Sequence, residues 1–243
     1  LNYNQDKLIS RIDIPSAENE DQLILGSKGL TLKKLSSLGL PVPRGFIIST
    51  ELFNILSLME QREIYDETKQ RIGQALEELE ALEGMKLGSK KAPLLVSVRS
   101  GAAVSMPGMM DTVINVGLSR QLASELSEQA PEKSWTIWDC YRRYVQSYAM
   151  SRGVARDSFD GIIERFKQER GIDFKQDFSA KDMEEIALEY EEQAKREGAK
   201  IPKEPLEQVM AAIFSVLGSW ESETARSYRK QMQLSEDWGT AVI

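Results

Sequence analysis

Histidine is missing from all 243 residues. Without an imidazole the chain cannot build a histidine-based catalytic triad, a histidine zinc site or a phosphohistidine carrier. Cysteine is nearly missing too. Cys140 stands alone, so no internal disulfide can form, and that usage suits the cytoplasm. Cys140 lies among Trp138, Tyr141 and Val145 in a helical pattern, and it reads as a buried, inert thiol with no histidine to activate it. No apolar run approaches the roughly 20 residues that span a bilayer. No apolar core follows Leu1-Asn2-Tyr3-Asn4, so no signal peptide is read there, and the missing Met points to a start further upstream. Positive charge is in deficit, with 31 Lys and Arg against 38 Asp and Glu, a net charge of -7. That balance argues against a nucleic-acid surface. It leaves room for a local cluster of bases around an anion.

What is present is ordinary for a globular chain: 41% hydrophobic and 28% charged residues, enough for one large domain or two small ones. The first third reads as mixed α and β. Leu23-Ile24-Leu25 is a short apolar run ended by Gly26 and is expected to be a strand. Apolar residues recur at helical intervals from Leu30 to Leu38 and stop at Gly39. Pro41 and Pro43 then force an extended turn into a second strand at Gly45-Phe46-Ile47-Ile48. Ser49 or Thr50 can cap a helix beginning at Glu51. Residues 60–83 read as an acidic amphipathic helix with Ile64, Ile72, Leu76, Leu79 and Leu82 inward. Leu94 to Val98 is a strand, Ser100 to Asp111 a loop, and Thr112 to Val116 the returning strand. From 119 to 198 the pattern is almost wholly helical, in segments near 135–152, 157–170 and 180–197. The Glu and Lys of the last segment read as a solvated face. Pro202 and Pro205 open another helix, with Leu206, Val209, Met210, Ile213, Phe214 and Leu217 on a broad apolar side. A strand begins near Trp238.

Four constellations can carry chemistry. Gly26-Ser27-Lys28-Gly29 precedes a helix: glycines permit a tight turn, the helix start favours an anion, and Lys28 supplies a mobile ammonium. The spacing is not that of a Walker A loop. Taken alone, the motif reads more readily as a glycine turn with an exposed lysine. In Val96-Ser97-Val98-Arg99-Ser100-Gly101 an arginine emerges at the end of an apolar strand, where ligand groups are often placed. The competing reading pairs Arg99 with a local acid such as Asp111. In Ser105-Met106-Pro107-Gly108-Met109-Met110-Asp111-Thr112 the methionines can plug a core, or the Pro, Gly, Ser and Asp can make a mobile loop whose backbone N–H groups close over phosphates. Asp139 to Arg143 places two bases on an aromatic helix. Arg142 can meet a ligand or pair with Asp139 three residues back, whereas Arg143 reads as structural.

Taken in order, these segments resemble the N-terminal nucleotide-binding region of the pyruvate, phosphate dikinase family. The likeness rests on Gly26 to Gly29, on Gly39-Leu40-Pro41-Val42-Pro43-Arg44-Gly45-Phe46, and above all on Ser97-Val98-Arg99-Ser100-Gly101 through Thr112. Asp139 with Tyr141-Arg142-Arg143, and Ser219-Trp220 through Trp238-Gly239-Thr240-Ala241-Val242, extend it over almost the whole chain. The resemblance implies an α/β (α+β) ATP-grasp-like nucleotide-binding domain that is partial here. An α/β subdomain would comprise 1–118 and 201–243, with an inserted helical subdomain at 119–200, and the third ATP-grasp subdomain would lie beyond the sequence.

The resemblance also implies that Lys28, Arg99, Gly101, Gly108, Asp111, Gly239 and Thr240 serve ATP. No catalytic residue and no metal ligand is expected within the chain. The whole enzyme of that family interconverts ATP, phosphate and pyruvate with AMP, pyrophosphate and phosphoenolpyruvate, using Mg2+ and a phosphohistidine outside this chain. Expected partners are ATP and the downstream phosphohistidine and pyruvate-binding domains, with a homodimer of the full enzyme admitted and with neither nucleic acid nor membrane. This stretch alone is expected to be inactive. Ser27 for a second glycine, Ala103 for a longer residue and Ile243 for a polar one depart from the family pattern without removing a principal phosphate ligand. The alternative is a non-catalytic remnant that binds a nucleotide or a protein.

Overall fold

The computed structural model describes residues 8–15, 22–55 and 62–243. Leu1-Asn2-Tyr3-Asn4 and the first two residues of the helix expected at 60–83 lie outside them. In chain order the elements are β1 (Ile9–Arg11), α1 (Gln22–Ser37), β2 (Phe46–Ile48), α2 (Thr50–Asn54), α3 (Arg62–Glu83), β3 (Lys86–Leu87), β4 (Pro93–Leu94), β5 (Val96–Ala102), β6 (Thr112–Val116), α4 (Arg120–Gln129), α5 (Ser134–Ser151), α6 (Arg156–Arg170), α7 (Ala180–Arg196), α8 (Pro205–Ser219), α9 (Glu223–Gln231) and β7 (Thr240–Val242). Two compact units divide the chain. One comprises Leu1–Gly84, Val98–Asp111 and Ile213–Ile243, the other Met85–Ser97 and Thr112–Ala212.

The first unit is built on antiparallel pairing. β1 pairs with β2, β2 with β7, and β7 with β5. The last strand of the chain therefore sits between two strands from its first half. Its register sets Ser100 opposite Val242, Gly101 opposite Ala241 and Ala102 opposite Thr240. Arg99 and Ile243 exchange backbone hydrogen bonds of 2.8 Å in both directions. Ile12, Leu25, Ile47 and Ala241 are buried together beneath α1, with Ile24, Leu30, Leu32, Val42 and Ile243 packed around them. α1 also buries Lys33, whose ammonium donates to the Ser10 hydroxyl at 2.6 Å.

Two expectations for this unit need correction. Leu23-Ile24-Leu25 is not a strand. It is a helical turn opening α1, with the Thr50 hydroxyl donating to the Leu23 carbonyl at 3.0 Å. Three apolar residues carry too little periodicity to separate strand from helix, and tertiary packing decided. On α3, Leu82 is exposed and Ile64 half-buried, while Thr68 is fully buried with Ile72, Leu76 and Leu79. The inward face is set by the 68–72–76–79 row, which a reading of hydrophobic residues alone passes over. The helix expected from Glu51 starts at Thr50, and Ser49 is its cap.

The second unit is chiefly helical. Ser119 caps α4, accepting from Leu122 N at 3.2 Å, and Ser179 with Asp182 forms a capping box at the start of α7. Trp138, Tyr141, Tyr144, Val145 and Tyr148 form one buried face of α5. Buried Gln208 accepts from Gly117 N at 2.8 Å and donates to the Pro202 carbonyl at 3.0 Å, satisfying two turns with one side chain. No helix among the described residues is long and apolar enough to cross a membrane.

Candidate functional site

Every residue nominated for the site belongs to the first unit. The junction that assembles it is a contact between two glycines. α1 is broken at Gly26, whose backbone stands at φ 71°, ψ 159°, and the helix restarts at Ser27. A side chain built on Gly26 would lie 2.5 Å from the Gly101 carbonyl carbon and closer still to its oxygen. Hydrogen bonds complete the stitch. Gln22 donates to the Ala103 carbonyl at 2.6 Å, Ser27 to the Ala102 carbonyl at 3.1 Å and Lys28 to the Ser100 carbonyl at 2.9 Å. The helix start thus lies against the end of β5 along four successive residues.

That placement joins two cations. Lys28 and Arg99 are both exposed, and among the described residues no carboxylate forms an ion pair with either. The pairing of Arg99 with Asp111 does not occur. Partial burial and the charge of Arg99 together lower the pKa of Lys28. Two like charges held near each other in a chain of net charge -7 are poorly arranged for stability and well arranged for an anion. The Lys28 ammonium spends one of its three donors on Ser100, and Arg99 offers a planar fork suited to phosphate. The helix restart at Ser27 adds the positive end of a dipole.

The methionine-rich loop packs its methionines inward and leaves its tip exposed. Met106 is buried, while Ser105, Pro107 and Gly108 are exposed. Met109 N donates to the Met106 carbonyl at 3.2 Å across a tight turn. Pro107 and Gly108 occupy its centre, with Gly108 at φ 74°, the arrangement a type II turn requires. Met106 plugs a cluster with Ala102, Trp220 and Ala225, against which Met109, Met110, Phe53, Tyr228, Leu234 and Trp238 pack. At the far end of the loop, Asp111 N donates to the Ser219 hydroxyl at 3.2 Å.

The Asp111 carboxyl makes no ion pair among the described residues, and burial raises its pKa. A raised carboxyl pKa favours folding below the ordinary value of about 3.9. That contribution is lost as pH rises through the folded value. Asp111→Asn should therefore raise the melting temperature at neutral pH by a few degrees at most, on the order of 2–4 °C per kcal/mol. The gain should shrink to nothing on acidification toward pH 4 (about the ordinary carboxylate value). Thermal melts across pH would check this. A neutral-pH loss of stability would contradict it.

Gly239 and Thr240 lie deeper than the cations. Gly239 is buried, and a side chain on it would come within 2.6 Å of the Phe53 ring. Thr240 is fully buried, and its hydroxyl donates to the Ala241 carbonyl at 2.9 Å. Gly101 is buried under Ile243 and Ala241. Sequence reasoning overlooked three contributors. Gln22 and Ser27 fasten the junction. Arg229, fully buried, donates to the Trp220 carbonyl at 2.5 Å and to Glu236 at 2.6 Å, with its guanidinium 4.2 Å from the Trp220 ring centre.

In the second unit, Arg142 resolves as structural. It is buried and donates to Asp139 at 2.9 Å and to Gln146 at 3.1 Å. Lys175 reaches the same Asp139 oxygen at 3.0 Å. Burial opposes the Asp139 charge, but these two cations outweigh it and hold its pKa low. Arg143 is exposed. Cys140 is half-buried, and burial with the neighbouring Asp139 charge raises its thiol pKa, so the protonated, unreactive form persists.

With this geometry in view, comparison with known proteins gives one consistent result. The family profile described as "Pyruvate phosphate dikinase, AMP/ATP-binding domain" matches residues 53–243. The chain is 37% identical over 222 residues to the pyruvate, phosphate dikinase of Clostridium symbiosum, covering 90% of this chain and 25% of that protein. It is 38% identical over 220 residues to the enzyme of that name from Rickettsia bellii, with the same coverages. The chloroplastic enzyme of Mesembryanthemum crystallinum is 36% identical over 230 residues, covering 90% of this chain and 23% of its own length. The chain spans about a quarter of the length of these relatives.

Proposed function

The chain belongs to the pyruvate phosphate dikinase AMP/ATP-binding domain family, and on that premise we propose that it binds the triphosphate of ATP at Lys28 and Arg99. One observation carries the reading: two exposed cations brought together at a helix start, with no ion pair among the described residues, in an acidic chain. Catalysis here is positioning and charge neutralisation, as phosphoryl transfer requires. Lys28 and Arg99 offset phosphate charge. The turn at Pro107-Gly108 closes over the phosphates and excludes water. Gly101, Gly239 and Thr240 form the backing of that surface, and Asp111 holds the loop's far end. The subdomain division at 1–118 with 201–243 and at 119–200, and a third subdomain completing the cleft, form part of this proposal.

The relatives are named dikinases, and the acceptor of the phosphoryl group in such an enzyme would be a histidine that this chain does not contain. The proposal therefore assigns the histidine-bearing and pyruvate-binding parts to sequence outside these residues. Magnesium would accompany the nucleotide. Among the described residues no group of three or more cysteine or acidic side chains is placed to hold a cation, and Asp111 is a single carboxylate. These residues do not fit a resident magnesium site, and no step here is routed through one.

Calorimetric titration with ATP, AMP and inorganic phosphate tests the reading. The expected order is ATP first, with affinity falling as ionic strength screens the cations. The purified chain should form no phosphohistidine and release no AMP that depends on pyruvate and phosphate. ATP binding that is absent, or indifferent to the loss of both Lys28 and Arg99, would sink the assignment. Pyruvate-dependent AMP release would sink the division of labour. Adding separately made third-subdomain and histidine-bearing parts together then separates an enzyme component from a binding-only remnant, since only the former would support phosphorylation of the histidine.

A further inference from the structure

The loop that the proposed function uses is fastened by sulfur. Met109 and Met110 are half-buried and pack on the cluster of Met106, Trp220 and Ala225, while the tip at Pro107 and Gly108 is exposed. Met110 Sδ lies 3.9 Å from the Ser219 hydroxyl, the same hydroxyl that accepts from Asp111 N at 3.2 Å and donates to the Val216 carbonyl at 2.7 Å. Among the described residues, the buried Trp220 indole N–H has no acceptor. Thioethers are soft, apolar fillers, and oxidation makes them polar.

We infer that Met109 and Met110 form an oxidant-responsive modification site that releases the Ser105–Asp111 loop and weakens nucleotide binding, an inference that rests on the ATP reading above. The oxidant is a peroxide. A sulfur lone pair attacks one oxygen of hydrogen peroxide, the O–O bond breaks, and the leaving hydroxide takes the proton of the new S–OH group to become water, leaving the sulfoxide. The sulfur is oxidised by two electrons to the sulfoxide, and the peroxide is reduced. A sulfoxide oxygen on Met110 is a far stronger acceptor than a thioether. It competes with Val216 for the single Ser219 hydroxyl proton. That change pulls on the anchor of Asp111, while the new dipole is expelled from the apolar cluster. Cys140 does not take this role, because its thiol is held protonated.

Other methionines supply the controls. Met183 and Met210 are buried at 0% and 1% exposure, and Met232 is exposed at 52%. The full chain would be titrated with hydrogen peroxide and sulfoxides mapped by peptide mass spectrometry, with limited proteolysis of the loop and ATP titration on the same samples. Expected are sulfoxides at Met109 or Met110 before Met183 and Met210, faster cleavage in the loop, and ATP affinity weaker by about tenfold, the worth of one charge-assisted contact. Methionine sulfoxide reductases should restore it. Met109→Leu with Met110→Leu should resist, whereas Met232→Leu should not. Sulfoxides at Met232 with Met109 and Met110 untouched would overturn the inference, as would oxidised loop methionines with unchanged proteolysis and affinity. If untreated protein fails to bind ATP, the nucleotide reading fails. The mapping and proteolysis then still decide whether the loop responds to oxidant.

Discussion

Arg99→Ala is expected to weaken ATP binding by roughly tenfold to a hundredfold, since a hydrogen bond to a charged group is worth about 1.5–3 kcal/mol. Stability should hardly move. Arg99 is exposed and makes no ion pair among the described residues, so its loss strands no partner. The same change removes the like charge beside Lys28, and the Lys28 pKa should rise toward its ordinary value. Arg99→Lys should recover only part of the affinity, because an ammonium lacks the two-pronged fork. Lys28→Ala should also weaken binding, and the double variant should lose less than the sum if both cations hold one phosphate group. If the proposed function holds, the Arg99→Ala change in a longer dikinase containing this stretch is expected to block the ATP half-reaction and spare exchange between pyruvate and phosphoenolpyruvate. Calorimetry on the chain and exchange assays on the enzyme measure these outcomes. Normal ATP affinity in Arg99→Ala would remove the case for this site.

Gly26→Ala is expected to do the opposite: to damage folding before it damages chemistry. The added methyl meets the Gly101 carbonyl, a backbone group with no rotamer to escape into, with Gly101 Cα 3.2 Å away. The residue also stands at φ 71°, ψ 159°, a backbone region essentially confined to glycine, which disfavours any side chain by about 1–3 kcal/mol. Relief requires parting α1 from β5, which breaks the Gln22, Ser27 and Lys28 bonds together. A loss above about 4 kcal/mol follows, large enough to leave little folded protein. Gly39→Ala is the control. Its φ is 76°, yet nothing lies within 4 Å of the added methyl. It should bear only the backbone penalty. Equal melting temperatures for the two variants would show that the glycine contact does not hold the site together.

Local signals were legible where periodicity ran long. α5, α6, α7 and α8 follow their apolar spacing to within a few residues. The strand expected at Leu94 to Val98 is instead β5 at Val96–Ala102, so Arg99 lies within it and Ser100 to Ala102 belong to the strand and not to the loop, because pairing with β7 extends it past its apolar run. The Asp139–Arg142 pair is a three-residue helical neighbour and could be read from spacing alone. Lys175 joining the same carboxylate could not, because a turn and a helix intervene. The short run at Leu23 to Leu25 misled for the converse reason: it is too brief to declare a period, and its partners, Thr50 and the core around Ile47, come from elsewhere.

By itself the sequence determined that no histidine chemistry and no disulfide can occur in this chain, and that a lysine and an arginine stand beside glycines able to approach a phosphate. It also determined the helical stretches, since hydrophobic spacing acts between near neighbours. Only the tertiary structure decided that Lys28 and Arg99 share one place, that Asp111 does not pair with Arg99, and that the methionines of the loop are both plug and anchor. Those outcomes depend on β7 entering between β2 and β5 and on Gly26 lying against Gly101. Both are contacts between residues far apart in the chain, whose closure is set by packing and backbone register, and no local pattern of side chains encodes them.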